Sequence, residues 1–189
     1  MSTGKTQVLW TFDGWELVRN LIIERLPEWA ELRIVDSTKR LQDQVADTEV
    51  IIPTTGPLPA EVVAAAPKLK LILQPAAGYS NIPLEAAKAR GIPVCNAPGV
   101  NARAVAEATI MVLLMLARRA PENQAVFQAG KVGGPLGVQL EGRTLGVIGM
   151  GAIGQQVAEL GEALGMKCLG LDSKSSRQDW RTCSGQLML

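Results

Sequence analysis

Gly149, Gly151 and Gly154, spaced G-x-G-x-x-G, together with Asp172 eighteen positions after the last of them, are the residues whose types and spacing speak most directly of chemistry. Gly149 suits a tight turn, Gly151 lets backbone approach a ligand, and Gly154 lets a helix pack closely on a strand. A diphosphate would rest over Gly151, Ala152 and Ile153, on the free N–H groups and positive end of the helix that starts there. The Asp172 carboxylate would accept hydrogen bonds from ribose hydroxyls and repel a 2′-phosphate, which favours NAD over NADP, although Lys174 and Arg177 lie nearby. A glycine triplet alone is also what an ordinary turn requires. Here it stands between an expected strand and an expected helix, and that context selects the nucleotide reading.

The composition removes other chemistries. The 189 residues include no histidine, so the usual near-neutral general acid or base is missing, and proton transfer would fall to a carboxylate, lysine, cysteine or tyrosine. Cys95, Cys168 and Cys183 are far apart, with neither metal-ligand spacing nor an even disulfide set, so no metal site is expected and a reducing, cytoplasmic setting fits. Nineteen basic against eighteen acidic residues, without a like-charge block, recommend neither nucleic acid nor an anionic membrane as partner. The longest apolar run, residues 108–117, falls short of the ~20 residues of a membrane span, and the first residues lack the apolar core of a secretory signal.

The elements that must position these residues alternate in kind. Apolar runs at 7–10, 32–35, 50–53, 69–74 and 93–96 read as strands, separated by helical stretches, as expected of helices packed on a parallel sheet. Leu17, Val18, Leu21, Ile22 and Leu26 recur at helical spacing, with Asp13 and Glu16 resembling a capping box and Phe12 and Leu17 a hydrophobic staple. Further helices are expected over 39–46, 59–66 and 83–90, the last stopped by Gly91. A long helix from the cap Asn101 through Arg119 follows, with Pro121 just beyond it; being apolar on nearly every side, it should be buried between two layers or two subunits. Residues 130–142 read as a glycine-rich loop or arm, and a second unit then opens with a strand over 144–148, a helix presenting Ile153, Val157, Leu160 and Leu164, and a strand over 167–171.

The expected architecture is therefore α/β: a flavodoxin-like domain over 1–100, then a linking helix and the first part of a Rossmann domain over 101–172, then a divergent tail over 173–189. A sheet of only two strands would leave an edge and a helix face uncovered, which favours poor solubility, pairing with another chain or local disorder.

The stretch QPAAGYSNIPLEAAKARGIPVCNAPGVNARAVAEATIMVLLMLARRAPE from Gln74, followed by EGRTLGVIGMGAIGQQVAELGEALGMKCLGLD, resembles the D-isomer-specific 2-hydroxyacid dehydrogenases, which include phosphoglycerate dehydrogenase, over roughly residues 48 to 172. The resemblance implies a flavodoxin-like substrate domain interrupted by a Rossmann domain that binds NAD, with the segment at Asn101–Glu107 leading into the linking helix. It also implies a 2-hydroxy or 2-keto acid as substrate and a homodimer. By the same resemblance the backbone N–H groups of Ala76, Ala77 and Gly78 hold the substrate carboxylate, a task peptide dipoles perform without a counter-charge. Taken alone, Ala-Ala-Gly is an ordinary strand-to-helix turn. Ser80 stands where the family usually has Asp, and Thr54, Thr55 and Gly56 are either pocket-lining residues or a plain strand end.

The family's catalytic Arg, Glu and His have no counterparts here. Arg177, Arg181 and Glu162 lie outside the corresponding context, so no catalytic residue is assigned and the chain by itself is expected to be inactive. The tail from Ser173 departs from the family pattern and reads either as an altered end or as a diverged natural terminus. Three readings follow: an NAD-dependent oxidoreductase whose chemistry belongs to a longer form, a non-catalytic NAD-binding or partner-binding relative, or a non-functional fragment.

Overall fold

The structure, a computed structural model, describes residues 4–172. The expectations for 173–189, including those for Lys174 and Arg177, fall outside the described residues. The chain divides into two compact units that meet in sequence between Val100 and Asn101.

The first unit is a five-stranded parallel sheet, β1 (Thr6–Trp10), β2 (Ala30–Ile34), β3 (Val50–Ile52), β4 (Leu71–Leu73) and β5 (Val94–Cys95), in the spatial order β2-β1-β3-β4-β5. Successive side chains of a strand point to opposite faces. Leu9, Ile51 and Ile72 therefore fall on one face, where they join Val62 and Val63 of helix α2 (Ala60–Ala65) and Ala87 of helix α3 (Leu84–Ala89). Val8, Trp10 and Ile52 fall on the other, beneath Val18 and Ile22 of helix α1 (Glu16–Glu24) and Leu26 just after it. Both faces are covered, as parallel sheets require.

Several local expectations are corrected. Helix α1 has no capping box: its N-cap is Trp15 in the left-handed region (φ 53°) with no side-chain cap, while Asp13 and Glu16 lie within ion-pair range of Arg19. The staple is absent too, because Leu17 is exposed and Phe12 packs beside Gly14 and Gly56 instead. The helix expected over 39–46 is a single 3-10 turn, Leu41–Gln44, at whose end the Gln44 carboxamide bonds back to Asp36, accepting from its N–H and donating to its carbonyl. Asn101 sits at the expected cap position, but its side chain caps nothing.

The second unit holds helix α4 (Ala102–Ala117), helix α5 (Ala120–Gln128), strand β6 (Thr144–Ile148), helix α6 (Ala152–Ala163) and strand β7 (Lys167–Leu171), with β6 and β7 paired in parallel. Helix α5 was not expected. Arg119 adopts φ 49° and ends one helix, and Pro121, read from sequence as a stop, occupies the first turn of the next, where its missing N–H costs nothing. Arg119 pairs with Glu122 at 3.1 Å. Residues 131–140 are irregular, and the arm is held by Val138 N–H on Ala117 O (2.7 Å) and Asn123 Nδ2 on Pro135 O (3.1 Å). Helix α4 is not buried all round: Ala106 and Ile110 pack with Val157, while Met111, Val112, Met115 and Leu116 are exposed.

Candidate functional site

Strand β6 ends at Ile148, and the chain turns through Gly149 at φ 92°, a conformation that L side chains rarely adopt. Helix α6 begins two residues on, with Gly151 as its N-cap. Nothing lies within 4 Å of where a Gly151 side chain would begin, so this face of the turn is open. Gly154 is the opposite case: a side chain there would run into the Gly149 carbonyl and approach Val147 Cγ1 at 3.3 Å, so helix and turn touch through bare backbone. Ala152 and Ile153 form the first turn of the helix, both exposed, where N–H groups have no intrahelical partner.

Asp172 follows β7 directly, and the parallel register sets Leu171 beside Ile148, so the carboxylate arrives at the glycine turn. Its Oδ2 accepts a hydrogen bond from Met150 N–H at 2.9 Å, and Gly149 N–H donates to Leu171 O at 2.7 Å. The sequence-predicted residues Gly149, Gly151, Ala152, Ile153, Gly154 and Asp172 thus lie around one turn at the carboxyl end of two parallel strands. Met150, unremarked in the sequence, is buried against Gly170, where any side chain would meet its sulfur. The signal available was Gly170 itself, a glycine inside a strand.

In the first unit, Ala76, Ala77 and Gly78 follow β4 and Pro75 at the carboxyl edge of the five-stranded sheet. The loop's carbonyls are all engaged. Ala76 O accepts from Ala97 N–H (3.1 Å), Ala77 O from Asn96 Nδ2 (2.8 Å) and Gly78 O from Gln74 Nε2 (2.9 Å). No peptide bond among the described residues is cis, so the N–H across each of these planes points away from the anchored carbonyl. Those donors belong to Ala77, Gly78 and Tyr79, and among the described residues no acceptor pairs with them.

Gln74 is the centre of this arrangement. It is 2 % exposed, and its Nε2 also donates to Thr54 O (2.8 Å) and lies 3.3 Å from Asn81 Oδ1. Asn81 Nδ2 in turn donates to Thr54 O and Gly56 O. Thr54 is fully buried with φ 55°, a costly conformation for a β-branched residue. Thr54 Oγ1 and Gln74 Oε1 have no partner among the described residues. Sequence reading noticed Thr54 and Gly56 but missed Gln74, Asn81 and Asn96. Their partners are carbonyls, which leave no mark in residue type.

Two parallel α/β units, the second carrying between its strands the glycine turn and terminal carboxylate of a Rossmann unit, define a class of α/β nucleotide-binding proteins. A family model, D-isomer specific 2-hydroxyacid dehydrogenase, catalytic domain, matches residues 16–186. The chain belongs to the D-isomer-specific 2-hydroxyacid dehydrogenase family. It is 40% identical over 144 residues to a glyoxylate reductase of Korarchaeum cryptofilum, covering 72% of this chain and 43% of that protein. It is 36% identical over 155 residues to a D-3-phosphoglycerate dehydrogenase of Methanocaldococcus jannaschii, covering 79% and 30%. The crystal structure of a D-lactate dehydrogenase from Aquifex aeolicus, complexed with NAD and lactic acid, matches with a TM-score of 0.75 and 30% identity over 89% of this chain and 52% of that one. The chain therefore spans less than half the length of these two curated relatives.

Proposed function

We propose that the chain serves NAD-dependent interconversion of a 2-hydroxy acid and its 2-keto acid, residues 101–172 holding the cofactor and residues 1–100 the substrate carboxylate. The observation that carries this reading is the glycine turn with its open face at Gly151 and the Asp172 carboxylate fixed beside it. This geometry fits a dinucleotide on three counts. An added Cβ at Gly151 would fill the space a diphosphate needs, the first turn of α6 offers free N–H donors, and the carboxylate lies within reach of a ribose. When bound, NAD supplies the hydride acceptor or donor. Gly151, Ala152 and Ile153 hold the diphosphate, Gly149 and Gly154 hold the turn, and Asp172 binds the ribose hydroxyls and disfavours a 2′-phosphate. The N–H groups of the loop at Ala76, Ala77 and Gly78 receive the carboxylate of the acid.

The chain has no histidine, and no side chain near either site takes over proton exchange with the substrate oxygen in this proposal. The purified 189-residue chain is accordingly expected to bind NAD weakly and to oxidise no NADH with glyoxylate, hydroxypyruvate or pyruvate. The absence of histidine equally favours a second reading, a non-catalytic NAD-binding or partner-binding member of the family. The exposed row Met111, Val112, Met115 and Leu116 of α4 supports pairing with a second copy, which light scattering at micromolar concentration checks. A cytoplasmic setting fits three cysteines, Cys95, Cys168 and Cys183, that have neither metal-ligand spacing nor an even disulfide set; among the described residues no helix is long and apolar enough to cross a membrane.

Calorimetry with NAD and NADP tests the cofactor site. Gly151→Val should abolish binding of both. Asp172→Asn should weaken NAD roughly tenfold to a hundredfold and narrow its advantage over NADP, because a charge-assisted hydrogen bond is lost. Equal affinity for the two cofactors in the unaltered chain would refute the role of Asp172.

A further inference from the structure

We infer that Asn96 and Gln74 are positioning residues that aim the peptide donors of the loop at Ala76, Ala77 and Gly78; the inference rests on the proposal that this loop receives a carboxylate. A peptide N–H and the carbonyl of the preceding residue lie in one plane and point in opposite directions, so fixing the carbonyl fixes the donor. Asn96 Nδ2 holds Ala77 O at 2.8 Å and thereby turns the Gly78 N–H away from the sheet end. Gln74 Nε2 holds Gly78 O at 2.9 Å and does the same for the Tyr79 N–H. The third plane is fixed by backbone, Ala97 N–H on Ala76 O, which fixes the Ala77 N–H.

The design of the two side chains supports this role over a merely structural one. Each carboxamide comes from the residue just beyond a strand, Gln74 after β4 and Asn96 after β5, and these strands are neighbours in the sheet. Gln74 is buried yet leaves its own Oε1 without a partner among the described residues, a costly arrangement whose gain is an amide nitrogen directed at Thr54 O and Gly78 O. A side chain serving only to satisfy buried groups would use both ends. Gly78, for its part, has nothing within 4 Å of where a side chain would begin, so no side-chain packing on that side helps hold its peptide planes. Without the two anchors, those planes are free to rotate, and a carboxylate would then have to order them on binding. Pre-set donors avoid that cost.

The test uses the full 189-residue chain and oxamate, a stable 2-oxo carboxylate, as probe. Amide spectra recorded during a titration give both the affinity and the shift of individual N–H groups. The unaltered chain is expected to bind oxamate with downfield movement of the Gly78 and Tyr79 amide protons. Asn96→Asp replaces the donor by an acceptor that repels Ala77 O. It should weaken oxamate roughly tenfold or more and remove the Gly78 shift while core amides such as Ile72 keep their positions. Gln74→Met, similar in shape but without a donor, should remove the Tyr79 shift. Asn96 is only partly buried, so its variant carries the test even if Gln74→Met does not fold. If the unaltered chain shows no oxamate shift in this loop, the carboxylate reading itself is overturned. If it binds and Asn96→Asp binds equally well with the same Gly78 shift, the carboxylate reading stands and the positioning role is overturned.

Discussion

Strands β1 and β6 are both five residues long, both open a parallel unit, and both are mostly apolar, yet they are buried in different ways. In β1 the last three residues, Val8, Leu9 and Trp10, are all buried, because helices cover both faces of the five-stranded sheet. In β6 burial alternates: Leu145 and Val147 face α6 and α4, while Ile148 is 87% exposed. The contrast shows that an apolar strand records how many layers it is suited to, while its actual burial depends on the layers present. The first unit is a closed core with its proposed site at a sheet edge, and the second is a one-sided core with its proposed site at a backbone turn.

The largest effect that probes this contrast is expected at Ile72, fully buried on β4 beside the central strand β3 of the five-stranded sheet. Ile72→Ala should cost about 2–5 kcal/mol of first-unit stability, through lost transfer energy and the cavity left behind. Denaturant unfolding followed by amide exchange should show the loss in residues 4–100 and leave the second unit unchanged. Exchange accelerated equally in both units would show that the two cores unfold as one.

Next comes Gly154→Ala. Its Cβ would meet the Gly149 carbonyl, a backbone atom that cannot swing aside, so α6 must lift from the turn. A cost of about 1–3 kcal/mol, confined to the second unit, is expected, together with loss of the Met150 N–H to Asp172 contact. Unchanged protection of the Met150 amide would argue against so tight a packing.

Ile148→Thr tests the uncovered side of β6. Despite removing apolar bulk from a strand, it should change stability by no more than about 0.5 kcal/mol, because the side chain is exposed, and it should raise solubility. A thermal melt paired with a precipitation assay would reveal a hidden partner surface if the change proved costly.

The smallest effect lies at Asp36, whose carboxyl is lowered from 3.8 to about 2 by hydrogen bonds from the Thr38 hydroxyl, from Lys39 and from the Thr38 N–H. A depressed folded-state pKa means stability that is fully present above 3.8 and lost as pH falls through about 2. The stability gap between the unaltered chain and Asp36→Asn should therefore close between those pH values, as a pH series of melts would record. An unchanged gap would show that the carboxylate's charge is not involved.

Local readings succeeded where one residue type answers one local demand. Gly149 needed a positive φ, Gly91 stopped α3 at φ 65°, and the alternation of apolar runs with amphipathic stretches foretold a parallel α/β architecture. They failed where two local answers compete. Pro121 ends one helix or starts another with equal ease, and only the left-handed Arg119 decided for the second. Asp13 and Glu16 have the spacing of a capping box, but the chain at Trp15 turns the wrong way for it to close.

The family, the α/β rhythm and the glycine turn with Asp172 eighteen residues beyond it were legible along the chain, because each depends on sequence neighbours or on a pattern of residue types. Which apolar residues are covered, and which carbonyls Gln74 and Asn96 hold, depends on how the elements pack. Gln74 reaches Thr54 twenty positions away, and Asn96 reaches Ala77 nineteen away, only because strands β3, β4 and β5 lie side by side. Every residue except proline carries the same backbone donor and acceptor, so no choice of side chain records which of them will be met once the strands pair.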